Sequence, residues 1–205
     1  HLYEEMGPRC VERLGGMFAV VILDKRKGEL FVARDRVGIK PLYYVELPGK
    51  FLFASEMKAL LRCPEVRTTL NYRAIHDYLA LRYVPGPGGM FHEVRKFPAG
   101  HYGIVRNGKL TLTRYWEPEL YSGPFPNSEE EYLEGFAQRF EKSTQRRLIS
   151  EVPLGAYLSG GLDSSTSVAA MSKLVSEPIR TFTVGFDYEK DELENAAETA
   201  RLLGC

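Results

Sequence analysis

Two architectures in succession are what this sequence predicts: an α+β layer over residues 1–117, then an α/β unit built on a parallel sheet over residues 128–205, with a linker at 118–127. Three observations carry that expectation. In the first half, short apolar runs separated by turn residues are read as antiparallel hairpins, one of them marked by Asn107-Gly108. Between the halves, Glu117 to Asn127 holds three prolines and a glycine, the composition of a domain boundary. In the second half an apolar run, a glycine pair and helical spacing follow one another from Val152 to Leu174, which reads as strand, tight turn, helix.

Taken in order, Leu2, Tyr3 and Met6 suggest a helix end that Gly7-Pro8 breaks. Met17 to Leu23 is a continuous apolar run, Asp24 to Glu29 turns it, and Leu30 to Ala33 runs back, so a buried hairpin is expected. After the charged turn Arg34-Asp35-Arg36 and Gly38, a second hairpin pairs Pro41 to Leu47 with Phe51 to Ser55 across Pro48-Gly49, and Glu56 to Leu61 forms a short helix. Asn71 caps a helix with Ile75, Tyr78, Leu79 and Arg82 along one side. Pro85 to Gly89 can be neither helix nor central strand. His101 to Arg106 and Lys109 to Trp116 flank Asn107-Gly108 as a type I′ hairpin. Four or more strands with two helices, meander-like, indicate an α+β layer rather than βαβ units.

Beyond the linker, Ser128 and Glu131 have capping-box spacing and open a helix with Tyr132, Phe136 and Phe140 as its apolar stripe. Leu154 to Ser159 is the first strand of the new unit, Ile179 to Phe186 the second, and Glu192 to Leu203 a helix closed by Gly204. This is one right-handed βαβα unit.

The chemistry concentrates at Leu158-Ser159-Gly160-Gly161-Leu162-Asp163-Ser164-Ser165. Paired glycines let backbone amides approach a ligand, and the first amides of a helix starting near Leu162 have no intrahelical partner, so the turn is an anion site. Hydroxyls of Ser159, Ser164 and Ser165 can bond phosphate oxygens. Asp163 would repel phosphate unless a divalent cation sits between them, which implies Mg2+. No lysine lies between Lys142 and Lys173, which excludes a Walker A loop, and Gly160-Gly161 does not fit a dinucleotide fingerprint.

Composition narrows the partners. Of 205 residues, 44% are hydrophobic, and 27 basic residues balance 27 acidic ones, so no global field draws the chain to nucleic acid or an anionic membrane. The longest apolar run is too short to span a bilayer. Three separated cysteines, Cys10, Cys63 and Cys205, argue against a disulfide framework and for a reducing, cytoplasmic setting. Because the chain opens on His1 and stops just after a helix end, it is expected to be a piece of a longer protein.

The pattern Ser-Gly-Gly-x-Asp-Ser resembles the pyrophosphate loop of the ATP pyrophosphatase superfamily. Gly16-Met17-Phe18-Ala19, Ala33-Arg34-Asp35, Gly38 to Tyr43 and Ala54 to Leu60 resemble the later part of a class II glutamine amidotransferase domain. Together with Val152-Pro153-Leu154-Gly155 and the loop, they resemble glutamine-hydrolysing asparagine synthetase over essentially the whole chain. Gly15-Gly16 and Glu151 depart mildly from that pattern.

The resemblance implies a partial glutaminase-type layer, N-terminal nucleophile hydrolase-like, followed by a partial ATP-pyrophosphatase domain. It implies a two-site ligase that draws ammonia from glutamine and activates aspartate with ATP. Asp35 would hold the α-amino group of glutamine, Leu158 and Val184 would contact the nucleoside, and Ser159 to Ser165 would cradle the phosphates, with Asp163 on Mg2+. The cysteine nucleophile has no candidate here, so the chain alone should have no glutaminase activity. Small-molecule substrates are expected, without nucleic acid or membrane, and the family allows a homodimer. A β-lactam synthetase-like relative acting on another carboxylate, and a non-catalytic scaffold, are the competing readings.

Plainer roles stand beside these. Asp35 could cap the turn between hairpins, paired with Arg34 or Arg36, which on either reading keep it ionised. Val184 is first a strand residue. His76, His92 and His101 show no ligand spacing, while Asp187, Glu189, Asp191, Glu192 and Glu194 read as an acidic helix start before a metal cluster. Arg146-Arg147 is a solvated helix end or a phosphate clamp.

Overall fold

The structure is a computed structural model that describes residues 1–120, 123–124, 128–186 and 192–205. It divides into two compact units, His1–Tyr121 and Ser122–Cys205.

The first unit is built on two antiparallel sheets. Strands β1 (Ala19–Asp24), β2 (Glu29–Arg34), β6 (His101–Arg106) and β7 (Lys109–Arg114) form one, in the order β1-β2-β6-β7. Strands β3 (Tyr43–Leu47), β4 (Lys50–Ala54) and β5 (Arg95–Lys96) form the other, ordered β4-β3-β5. Alternation of side chains across β2 explains why two sheets are needed. Val32 faces Leu42, Tyr44, Phe97 and Val105 between the sheets. Its neighbours Phe31 and Ala33 face the other way, where helix α1 (Leu2–Met6) and the 3₁₀ turn Gly7–Glu12 bring Cys10 and Val11 over them. On the far side of the smaller sheet, Val45 packs with Leu60, Val66 and Val94, supplied by helix α2 (Met57–Leu60) and the following loops. The layers are therefore helix, sheet, sheet, helix.

Two expectations for this unit need correction. The hairpin β1-β2 is not buried as a whole: β2 is interior, but β1 is an outer strand and Leu23 is exposed. Helix α3 (Tyr72–Leu81) starts where expected, with the Asn71 side chain accepting from the Ala74 amide at 3.3 Å. Its apolar side is nevertheless open, with Ala74 its buried residue and Leu79 77% exposed. Other local signals act as read. Asn107 and Gly108 both take positive φ, 50° and 78°, the pair a type I′ turn requires.

In the second unit, helix α4 (Glu129–Gln145) is capped by Ser128 Oγ, which accepts from the Glu131 amide at 3.2 Å. Strands β8 (Gly155–Tyr157) and β9 (Arg180–Phe182) pair in parallel, with helices α5 (Leu162–Ser172) and α6 (Leu193–Leu203) following them. Both strands are three residues long, shorter than the apolar runs suggest, because each pairs with the other and with no further strand among the described residues. The core is small: Leu158, Val168 and Ala196 are buried, backed by Ala156, Ala200, Leu203 and Cys205. The expected stripe on α4 is present but uncovered, since Tyr132 and Phe136 remain more than half exposed and α4 has no buried residue. Among the described residues no helix is long and apolar enough to cross a membrane.

Candidate functional site

Each unit carries one candidate site, and each is built at the end of a strand. In the first, β2 ends at Arg34 and delivers Asp35, which is 1% exposed. Its backbone is held on all sides: its amide donates to Phe18 C=O at 2.9 Å, and its carbonyl accepts from Gly38 and Gly100 amides at 3.1 and 3.0 Å. Its carboxylate accepts the amides of Phe18 (3.3 Å), Ile39 (3.0 Å) and Lys40 (3.0 Å). Burial pushes Asp35 toward the neutral form, but the amides of Lys40, Ile39, Phe18 and Gly38 outweigh it and hold the carboxyl below the usual carboxylate range.

The neighbouring arginines do not act as the sequence suggested. Arg34 donates to three carbonyls, Lys40, Phe97 and Gly38, each at 2.7 Å. Arg36 donates to the carbonyls of Leu14 and Glu12. Neither pairs with the Asp35 carboxylate, whose ionisation rests on backbone amides instead. The turn-capping role is thus geometrically present, without the arginine partner. Three amides, those of Phe18, Ile39 and Lys40, bond the carboxylate directly, and the nearby Gly38 amide also favours its charged form.

The second site begins where β8 gives out. Leu158 is buried; its amide donates to Phe182 C=O (2.9 Å), and its carbonyl accepts from Thr183 Oγ1 (2.7 Å). Those bonds tie the start of the loop to the exit of β9, so Val184, the next residue after Thr183, lies at the same carboxyl end of the parallel pair and is exposed. Ligands of parallel sheets bind at that end. Thr183 carries this link, and no sequence pattern singled it out.

The two glycines of the loop do different work. Gly160 has φ +75°, and a Cβ there would meet Ala196 N, Asn195 C and Asn195 Cβ at 2.7 Å. It is glycine so that the loop can lie against the backbone of α6. Gly161 is extended, with only Ser159 Oγ at 3.4 Å from a Cβ position, so the open approach belongs to it. Helix α5 starts immediately after; its first bond runs from the Ser165 amide to Gly161 C=O at 3.0 Å. The amides of Leu162, Asp163 and Ser164 precede that bond and are donors at the positive end of the helix dipole.

The serines also differ from expectation. Ser159 Oγ and Ser164 Oγ bond each other at 3.1 Å, and Ser164 Oγ lies within bonding distance of the Ser159 amide and Gly161 C=O. Two hydroxyls therefore shape the loop from inside. Ser165 Oγ is a buried atom with no hydrogen-bond partner. Leu162 and Asp163 are exposed, and the Asp163 carboxylate accepts no hydrogen bond among the described residues.

Groups of three or more ligating side chains are absent among the described residues. A lone carboxylate beside amides that favour phosphate is the donor set by which Mg2+ is held jointly with a phosphate chain, so Asp163 fits that ion. Asp187, Glu189 and Asp191 lie outside the described residues. Arg147 bonds back to Ser143 of its own helix, at the solvated end of α4.

The chain also resembles known proteins along its length. Residues 1–116 match the family described as glutamine amidotransferase domain, more than half the chain, and the chain belongs to that family. Residues 135–205 match the family described as asparagine synthase. The chain is 34% identical over 194 residues to a putative glutamine-hydrolysing asparagine synthetase 2 of Methanocaldococcus jannaschii, covering 93% of the chain and 38% of the relative. It is 33% identical to asparagine synthetase 3 of Bacillus subtilis (94% of the chain, 31% of the relative) and 35% identical to asparagine synthetase 2 of Oryza sativa (100% and 31%). The chain thus spans about a third of the length of the curated relatives it matches.

Proposed function

We propose that the protein is a glutamine-hydrolysing asparagine synthetase, of which residues 1–117 are the later part of the glutaminase domain and residues 128–205 the beginning of the ATP-binding domain. One observation carries the reading. The amidotransferase match and the asparagine synthase match follow each other in one chain, the second on a loop whose free amides and carboxylate suit a pyrophosphate.

In this reading glutamine is hydrolysed to glutamate and ammonia at the first site. At the second, a β-carboxylate oxygen of aspartate attacks the α-phosphorus of ATP, and the bond to pyrophosphate breaks. Ammonia then attacks the β-aspartyl-AMP carbonyl, loses a proton, and the bond to AMP breaks, leaving asparagine. Asp35 receives the ammonium of bound glutamine, a charge-assisted contact to a carboxylate that its surrounding amides keep ionised. The amides of Leu162, Asp163 and Ser164 face the phosphates, and Leu158 and Val184 border the nucleoside. Asp163 would hold Mg2+ together with the phosphates, and that ion would supply charge neutralisation to the pyrophosphate leaving group. Adenylyl transfer depends mainly on such fixed positioning and electrostatics.

The test uses full-length protein with Mg-ATP and glutamine, with and without aspartate, following pyrophosphate and amino-acid products. Aspartate-dependent pyrophosphate with stoichiometric asparagine is expected. Asp163→Ala should lower that rate by about 10²-fold or more. Release with another carboxylate but not aspartate would move the protein to the β-lactam synthetase-like branch, and no release with any acceptor would refute the enzymatic reading.

A further inference from the structure

The Arg34 side chain is polar, partly buried and bonded throughout to carbonyls, and nothing in the reaction above uses it. Its three acceptors come from separate places: Gly38 and Lys40 in the turn after β2, and Phe97 on the approach to β6. The turn is the one whose amides hold Asp35. Gly38 C=O and Ile39 N–H belong to the same peptide unit; the carbonyl accepts from Arg34 Nη2 at 2.7 Å, and the amide donates to Asp35 Oδ1 at 3.0 Å. A cation on one end of a peptide and an anion on the other polarise it in the same sense, so the two bonds strengthen each other. Lys40 is bonded on both sides as well, its carbonyl accepting from Arg34 Nε and its amide donating to Asp35 Oδ2, but these groups belong to successive peptides, so only the Gly38–Ile39 peptide links the two side chains directly.

Gly38 fits this clamp. It has φ +71°, and a Cβ would lie 3.1 Å from Arg34 Cζ, so the guanidinium rests against the bare face of the glycine. Above it, Tyr115 Oη donates to Arg34 C=O at 2.8 Å, which fixes the backbone from which both side chains leave. Arg34 and Asp35 form no direct ion pair within bonding distance. That matters chemically. A direct pair would put the guanidinium where a ligand ammonium must come, whereas a relay through the Gly38–Ile39 peptide orients the carboxylate without placing the guanidinium on it.

We propose that Arg34 is a positioning residue for glutamine binding: through the Gly38–Ile39 peptide, and by holding the turn at the Lys40 carbonyl, it sets the direction of the Asp35 carboxylate. This rests on the assignment of Asp35 to the glutamine ammonium made above. Preorganisation of this kind acts on binding of the ligand and not on the chemical step.

The experiment is glutaminase and synthetase kinetics on the full-length protein, comparing wild type, Arg34→Met, Arg34→Lys, Asp35→Asn and the double variant Arg34→Met with Asp35→Asn. Ammonia-dependent asparagine formation in the same preparations reports folding. Arg34→Met is expected to raise KM for glutamine by about tenfold with kcat within about twofold and ammonia-dependent synthesis retained. Arg34→Lys, whose compact ammonium cannot span three carbonyls that the guanidinium reaches with three separate nitrogens, should fall between. The double variant should be no worse than Asp35→Asn alone, because both changes act on one interaction. If Asp35→Asn raises the glutamine KM and Arg34→Met does not, the positioning role is wrong and the Asp35 assignment stands. If Asp35→Asn leaves the glutamine KM unchanged, the assignment beneath both falls. Loss of glutamine- and ammonia-dependent activity together in both Arg34 variants would make the residue structural and overturn the proposal.

Discussion

The two units hold their key carboxylates in opposite ways. Asp35 lies in a unit with three interlocking apolar clusters, is nearly inaccessible, and is surrounded by amides. Asp163 lies in a unit with one small cluster and is exposed, and its carboxylate accepts no donor among the described residues. The difference tracks the sheets. The first unit stacks one sheet on another and covers both outer faces, so strand residues on every face find partners. A parallel pair three residues long has two faces to cover, and in the second unit Tyr157 stays 82% exposed while Phe182 and Val184 are also open. A carboxylate in a packed unit is oriented by the fold; an exposed one on a sparse unit is not oriented by its own chain among the described residues.

The sharpest way to break this comparison is to remove packing from the dense side. Phe31→Ala, at a fully buried position between β2 and the amino-terminal helix, should destabilise the first unit by about 3–5 kcal/mol, measured by denaturant unfolding of the 205-residue chain. Amide exchange in β8 and β9 should be fast before and after that substitution; slow, global-type exchange there would contradict the contrast.

A smaller effect follows from the buried carboxylate. The folded value of Asp35 lies below its ordinary one. Its stabilisation is therefore complete above the unfolded value, about 3.9, and is lost as pH falls through the folded value. The thermal midpoint of the first unit should drop on acidification below about pH 4, and Asp35→Asn should lower the midpoint at neutral pH while reducing that acid dependence. An unchanged acid profile in Asp35→Asn would assign the effect to other carboxylates.

The smallest effect is expected at the start of α4. Ser128→Ala removes the acceptor for the Glu131 amide and should cost about 1 kcal/mol of local helix stability. Exchange in the first turn of α4 should quicken, with the first unit unaffected.

Much of the fold was legible because many of its signals are short. Asn107-Gly108, the caps Asn71 and Ser128, Gly204 closing α6, and the strand-turn-helix around Gly160-Gly161 each depend on residues within a few positions of one another. The split of the first unit into two sheets was not legible, because β2 pairs with β6 across the whole of the smaller sheet and alternation alone cannot say which face meets what. The stripe on α4 shows the converse: spacing sets which side of a helix is apolar but not whether anything covers it.

By itself the sequence determined the local conformations and the residue types of both candidate sites, since turn chemistry, caps and glycine backbone freedom act over one to four residues. Tertiary structure alone decided how those residues are held. Arg34 reaches Phe97 C=O 63 positions away, Tyr115 reaches Arg34 C=O from 81, and Gly160 is shaped by the backbone of Asn195 and Ala196. Such partners are chosen by packing in three dimensions, and no neighbouring residue in the chain encodes them.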